Sequence, residues 1–210
     1  MRHVYLHGFA SGPQSRKAQA FREALAGCGI DLEIPTLDES DFEHLTLSGQ
    51  LRVIEKALAG APCRLIGSSM GGYLAALYAA AHPEVDRLVL LAPAFGFQTR
   101  WREIHGEQAI EHWRETGWLP VYHYGAKELR RVHFGLYEDA GRFPSQPNVR
   151  QPTRIFHGVN DTVVPISFSR TFAADHPNSQ LTELDSDHEL LDALAGIVWD
   201  SIPFLTQPLA

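Results

Sequence analysis

Apolar residues along this chain fall into short continuous runs, separated by stretches in which they recur every three or four positions. That is the pattern of strands followed by helices. His3 to Leu6 predicts a first strand, and Ala18, Phe21 and Leu25 share one face of the helix behind it, which Gly27 and Gly29 close. Ile30 to Pro35 predicts a second strand and Asp38 to His44 a polar loop. Leu47, Leu51, Ile54 and Leu58 form the stripe of a second helix, with Ser48 as its cap and Gly60 and Pro62 as its stop. Cys63 to Ile66 predicts a third strand, and the stretch Tyr73 to Ala81, apolar all round, a helix buried on several sides. Leu88 to Pro93 is an unbroken apolar run, as expected of a strand covered on both faces. Strands alternating with helices in this way predict a parallel, doubly wound α/β sheet.

The regularity breaks between Phe95 and Pro152. This stretch holds about half of the chain's aromatic residues, with helix-like patterns near Glu107 to Glu115 and Ala126 to Asp139. It is too long for a plain connection and too apolar for disorder. It reads as a helical cap, residues 95–152, laid over the carboxyl edge of the sheet, where ligands bind in such folds. Phe95, Phe97, Trp101, Trp113 and Trp118 are its candidate substrate-pocket residues. A packed excursion that only covers the sheet is the alternative. Strand character returns at Thr153 to Gly158, followed by a helix over Ile166 to Asp175 and a strand over Gln180 to Leu184. The acidic loop Asp185 to His188 then leads to a closing helix carrying Leu190, Leu191, Leu194, Ile197 and Val198. No repeat or linker interrupts the chain, so one domain over 1–210 is expected.

With 210 residues, such a domain can bury a full core. The formal charge of -7, without a basic run, argues against nucleic acid and leaves small uncharged ligands as the better fit. Cys28 and Cys63 lie in or beside apolar segments and are expected to be reduced, packed thiols. Neither C-x-x-C nor H-E-x-x-H occurs, so neither a metal nor a cofactor is expected. Met1-Arg2-His3 passes directly into a strand, and no apolar run reaches bilayer length, so a cytoplasmic protein without a membrane span is expected.

The chemistry gathers at Gly67-Ser68-Ser69-Met70-Gly71-Gly72, between the third strand and the apolar helix. A G-x-S-x-G pattern there centres on Ser69. In a sharp strand-to-helix turn, glycines two residues either side remove collisions that larger side chains would make. Such a turn lifts the serine hydroxyl above the sheet and aims the Met70 N–H at developing negative charge. The His7-Gly8-Phe9 loop after the first strand offers a second such N–H, from Phe9. The plain alternatives are a tight glycine turn and a packing phenylalanine.

A serine nucleophile needs a base within hydrogen-bond reach, and that base needs an orienting acid. His188 follows the late Gln180 strand, and Asp161 follows the Thr153 strand, each at a strand end. The chain order Ser69, Asp161, His188 is that of sheet-edge hydrolases. Asp185 and Asp187 are close enough in sequence to His188 to shape its turn instead. His7 and His157 precede glycines at strand ends and are expected to brace loops. His3, His44, His82, His105, His112, His123, His133 and His176 lack such placement and read as surface or packing residues.

On Tyr5-Leu6-His7-Gly8-Phe9, Ser15 to Ala18 and Gly67 to Tyr73, with His157-Gly158, Asp161, Val164-Pro165 and Asp187-His188, the chain resembles the alpha/beta-hydrolase superfamily. Within it, the resemblance is to the small YqiA-like esterases. The resemblance implies a three-layer alpha/beta-hydrolase fold, with a mostly parallel sheet of about six strands, helices on both faces and a helical cap insertion. It also implies hydrolysis of small acyl esters or thioesters without a cofactor, through Ser69, Asp161 and His188, with Phe9 and Met70 as oxyanion donors. The antiparallel strands that usually precede the first strand of this superfamily are missing, and the 95–152 insert is larger and more aromatic than in that small group. A peptidase or amidase on the same scaffold, or a non-catalytic ligand-binding protein of this fold, are the competing functions.

Overall fold

The computed structural model describes residues 1–38 and 40–208. In chain order the elements are β1 (Arg2–Leu6), α1 (Arg16–Ala26), β2 (Leu32–Glu33), a 3-10 turn (Phe42–His44), α2 (Leu47–Leu58), β3 (Cys63–Ser68), α3 (Met70–Ala81) and β4 (Val85–Leu91). There follow α4 (Phe97–Thr116), β5 (Trp118–His123), β6 (Glu128–His133), α5 (Gly135–Ala140), β7 (Thr153–Gly158), α6 (Ser167–Asp175), β8 (Ser179–Leu184) and α7 (Leu194–Thr206). Six strands pair in the order β2-β1-β3-β4-β7-β8, all parallel. The chain runs from β1 out to β2, then crosses back over β1 to β3 and proceeds through β4 to β7 and β8, so the strand order reverses between β1 and β3, where loops from distant parts of the chain meet.

The apolar runs read as strands because successive side chains serve opposite cores. Val4, Leu65 and Leu88 stand side by side across β1, β3 and β4, and face the layer that contains α2, α3 and α6. Tyr5, Ile66 and Val89, one position on, face α1 and α7 instead. In α1 the buried residues are Ala18, Phe21 and Leu25, the face the spacing predicts. In α3 ten residues from Met70 to Ala79 are buried, because the helix is wedged between sheet and neighbours. The expected three-layer fold is the observed one. No helix among the described residues is long and apolar enough to cross a membrane.

Several local expectations are corrected. The second strand is only Leu32–Glu33. Ser48 does not cap α2: the cap is Thr46, whose Oγ1 accepts the Gly49 N–H at 3.0 Å, because a capping side chain must reach two or three residues ahead. Ser48 instead donates its N–H and hydroxyl to the two oxygens of Asp139, each at 2.7 Å, and so ties α2 to α5. Both cysteines are free, but only Cys63 is packed; Cys28 is exposed.

The excursion between β4 and β7 is helix, antiparallel hairpin and short helix. The helix near Glu107 to Glu115 is part of α4, which Gly106 breaks at φ 77°. Of the helix-like stretch Ala126 to Asp139, only the end is helical, as part of α5 (Gly135–Ala140). Residues 128–133 pair with 118–123, and Lys127 turns the chain at φ 58°. Glu, Leu and Arg favour a helix locally, yet Val132 gains burial under Trp113, whose indole N–H donates to the Val132 carbonyl, and Arg131 lies over the Trp118 ring. Tertiary packing outweighs a propensity of a few tenths of a kcal/mol per residue.

Candidate active site

Ser69 sits between β3 and α3 with φ 54° and ψ -118°, a conformation that costs a non-glycine residue about 1–3 kcal/mol. Four backbone hydrogen bonds hold it there. Its N–H donates to the Leu91 carbonyl, and its own carbonyl accepts from Gly72, Tyr73 and Ala94, all at 2.9–3.1 Å. The flanking glycines are needed for close approach: a Cβ on Gly67 would lie 2.4 Å from the Gly71 carbonyl oxygen.

The structure brings Ser69, His188 and Asp161 together. His188 Nε2 is 3.0 Å from Ser69 Oγ, and His188 Nδ1 is 2.7 Å from Asp161 Oδ2. The carboxylate faces Nδ1, which therefore carries the ring proton and leaves Nε2 to accept from the serine hydroxyl. The His188 loop is shaped by Asp187, whose Oδ1 accepts from the Glu189 and Leu190 amides. Gly158 lets that loop come close, since a Cβ there would meet the Ser186 oxygen at 2.3 Å. Asp185 is turned away, accepting from Asn160.

Asp161 is enclosed, its side chain wholly inaccessible. Its Oδ1 accepts the Val163 and Val164 amides, each at 2.8 Å, and its Oδ2 also lies 3.2 Å from His157 Nε2. Burial alone would raise its pKa, but the hydrogen bonds from His157 and His188 override this and hold the carboxyl well below the ordinary carboxylate value. A depressed folded-state pKa contributes stability that is fully present above the unfolded-chain value, near pH 4, and is lost as pH falls below it. Asp161→Asn is accordingly expected to flatten the acid limb of the stability curve. Melting temperatures of the variant and the parent, measured from pH 6 down to pH 2.5, should converge as pH falls, and a constant gap would contradict this.

The His7-Gly8-Phe9 loop lies against the serine, a Cβ on Gly8 being 4.0 Å from Ser69 Oγ. His7 braces it from behind: Nδ1 donates to the Gly8 carbonyl and Nε2 accepts the Leu37 amide, while burial lowers the ring's pKa. Among the described residues no backbone acceptor takes the Phe9 or the Met70 N–H. The Phe9 ring packs on Phe42 and edge-on to Trp101.

Of the five aromatic candidates, Trp101 is the one that touches this loop. Phe95 is fully enclosed and stacks on Phe172; Phe97 and Trp113 are buried against Trp101. Trp118 lies on the hairpin against Arg131, His44 and His133. Sequence reasoning missed three participants. Phe42 and His123 back the Phe9 loop, with ring centroids 4.5 Å apart. Arg100, from the excursion, donates to the carbonyls of Thr162 and Val163 at 2.5 and 2.7 Å, so α4 grips the loop that carries Asp161. Nothing in the local pattern around Arg100 signals a partner some sixty residues away.

Comparison with known proteins agrees with the fold. The chain is 28% identical over 176 residues to the palmitoyl-protein thioesterase ABHD10, mitochondrial, of Bos taurus, covering 77% of this chain and 57% of that protein. It is 25% identical over 190 residues to the human monoacylglycerol lipase ABHD6, covering 70% of this chain and 56% of that one. The chain thus spans a little over half the length of these relatives. The solved structure of alpha/beta hydrolase domain-containing protein 10 from mouse superimposes with a TM-score of 0.80 at 20% identity, over 96% of this chain and 88% of that one, a likeness of fold. A family model, that of the uncharacterised protein family UPF0227, matches residues 2–205. With nearly the whole chain matched and the sheet order observed, this protein belongs to UPF0227, a YqiA-like family of the alpha/beta-hydrolase superfamily.

Proposed function

We propose that this chain is a serine hydrolase that cleaves carboxylic esters or thioesters through an acyl-enzyme intermediate. The observation that carries this is the unbroken hydrogen-bond path from Ser69 through His188 to Asp161, built on a serine in a strained backbone conformation. His188 Nε2 takes the Ser69 proton as Oγ attacks the acyl carbonyl, and the same proton then passes to the leaving alcohol or thiol. Asp161 holds the imidazole in the required tautomer and balances its charge while it is protonated. The N–H groups of Phe9 and Met70, which no backbone acceptor takes among the described residues, donate to the oxyanion, an arrangement in which each donor is worth about 10²–10³ in rate. Water, activated by His188, releases the acid.

Residues 95–152 serve as a cap in this proposal, with Trp101 and Phe9 as the apolar wall beside the acyl group. Contact of Trp101 with Phe9 and the grip of Arg100 on the Asp161 loop support that role. The two relatives, by name a thioesterase and a lipase, favour acyl esters and thioesters over peptides. A fluorophosphonate probe is expected to label the protein, with the adduct mapped by mass spectrometry to Ser69. Absence of labelling would favour a ligand-binding protein. Esters of graded chain length, acyl thioesters and aminoacyl amides, assayed side by side, should give turnover of the first two classes, and turnover of amides alone would overturn the choice.

A further inference from the structure

The close polar contacts do not stop at Asp161. His157, at the end of β7, is fully buried, and its Nε2 faces two acceptors, the Val164 carbonyl at 2.9 Å and Asp161 Oδ2 at 3.2 Å. Neither can donate, so Nε2 carries a proton. On the other side of the ring, Nδ1 is 2.7 Å from the Oγ of Ser169, on α6, which is also fully buried and has no other hydrogen-bond partner among the described residues. A neutral imidazole with its proton on Nε2 accepts at Nδ1, and the Ser169 hydroxyl is the donor that this requires. A buried hydroxyl with a single available partner leaves that tautomer without a competitor.

The geometry points to His157, oriented by Ser169, as a positioning residue for the proposed reaction: it holds Asp161 Oδ2 in line for His188 while leaving the carboxylate its negative charge. This rests on the function proposed above. With hydrogen bonds from the Val163 and Val164 amides on Oδ1 and from His188 on Oδ2, and with His157 Nε2 3.2 Å from Oδ2, the carboxylate is held from four sides. A neutral donor suits the task better than a cation. A second positive charge at the carboxylate would weaken its attraction for the imidazolium that forms on His188, whereas a neutral N–H fixes the oxygen without opposing that charge. The series Ser169, His157, Asp161, His188, Ser69 thus links α6 in the interior to the half-buried serine.

Three variants test this: His157→Leu removes the donor, His157→Gln returns an N–H near the position of Nε2, and Ser169→Ala removes the tautomer lock with little change in volume. For hydrolysis of a nitrophenyl ester, His157→Leu should lower kcat about 10²-fold with KM unchanged, the scale of a small misplacement of a catalytic group. His157→Gln should recover most of that loss, and Ser169→Ala should lie between. In parallel, the low-field proton resonance of the His188 Nδ1–H, bonded to Asp161, should broaden or move upfield in His157→Leu and be restored in His157→Gln. The resonance does not depend on turnover, so it tests the positioning even if the protein hydrolyses no ester. Should His157→Leu fail to fold, Ser169→Ala carries the test. Unchanged kcat and an unchanged resonance in a folded variant would overturn the inference and leave His157 as packing.

Discussion

Replacing Ser69 with alanine is expected to reduce ester turnover by roughly 10⁴–10⁶-fold, the range seen when a nucleophile that works as one unit with its base is removed. The fold should survive. Among the described residues the one side-chain bond of Ser69 is to His188, and the four backbone bonds that hold it in place do not involve the hydroxyl. Alanine bears the same backbone strain as serine at φ 54°, so the melting temperature should barely move. Ser69→Gly, free of that strain, is expected to be as inactive but more stable than the alanine variant by about 1–2 kcal/mol. That pairing separates chemistry from folding, and undiminished activity in a folded Ser69→Ala protein would remove Ser69 from the mechanism.

Gly71→Ala is expected to be the most damaging single methyl in the chain. An added Cβ would lie 2.0 Å from the Leu6 carbonyl oxygen and 2.6 Å from that of His7. Both obstacles are backbone, so no side chain can swing away. Either α3 lifts from β1, breaking the packing of its buried residues, or the end of β1 moves and carries the Phe9 loop off the serine. Overpacking of a core usually costs about 1–3 kcal/mol, and a clash with immovable backbone belongs at or above the top of that range. Urea denaturation at constant slope should show it as a loss of about 3 kcal/mol or more, with activity lost as well. Gly196→Ala is the matching control, since nothing lies within 4 Å of its added carbon in α7. It should instead stabilise the protein by about 0.5–1 kcal/mol, because alanine is the better helix former.

The two classes of prediction differ in where their information lies. Ser69, Asp161 and His188 each follow a strand-like run, and in a parallel sheet a residue past the carboxyl end of a strand stands at the ligand-binding edge. Their chain order and the flanking glycines were therefore visible from local pattern. Trp113 was visible as an aromatic residue, but not as one whose N–H is spent on Val132 in the interior. The hairpin of β5 and β6 was hidden because the residues of β6 read as helix formers, and their pairing comes from a separate run, β5, across the turn at Lys127. Ser48 was legible as a polar residue at a helix start, but not as the tether to Asp139.

The amino-acid sequence by itself determined the alternation of strands and helices, the two-sided burial of the central sheet, the glycine-framed turn at Ser69 and the strand-end positions of Asp161 and His188. These are consequences of side-chain period and of backbone sterics, which act over a few residues. Tertiary structure alone decided that Arg100 grips the acid loop, that His157 and Ser169 back the carboxylate, and that Trp101 rather than Trp113 meets Phe9. Those contacts join residues that are neighbours only after the sheet has closed, and a hydrogen bond or a ring contact depends on distances that no spacing along the chain encodes.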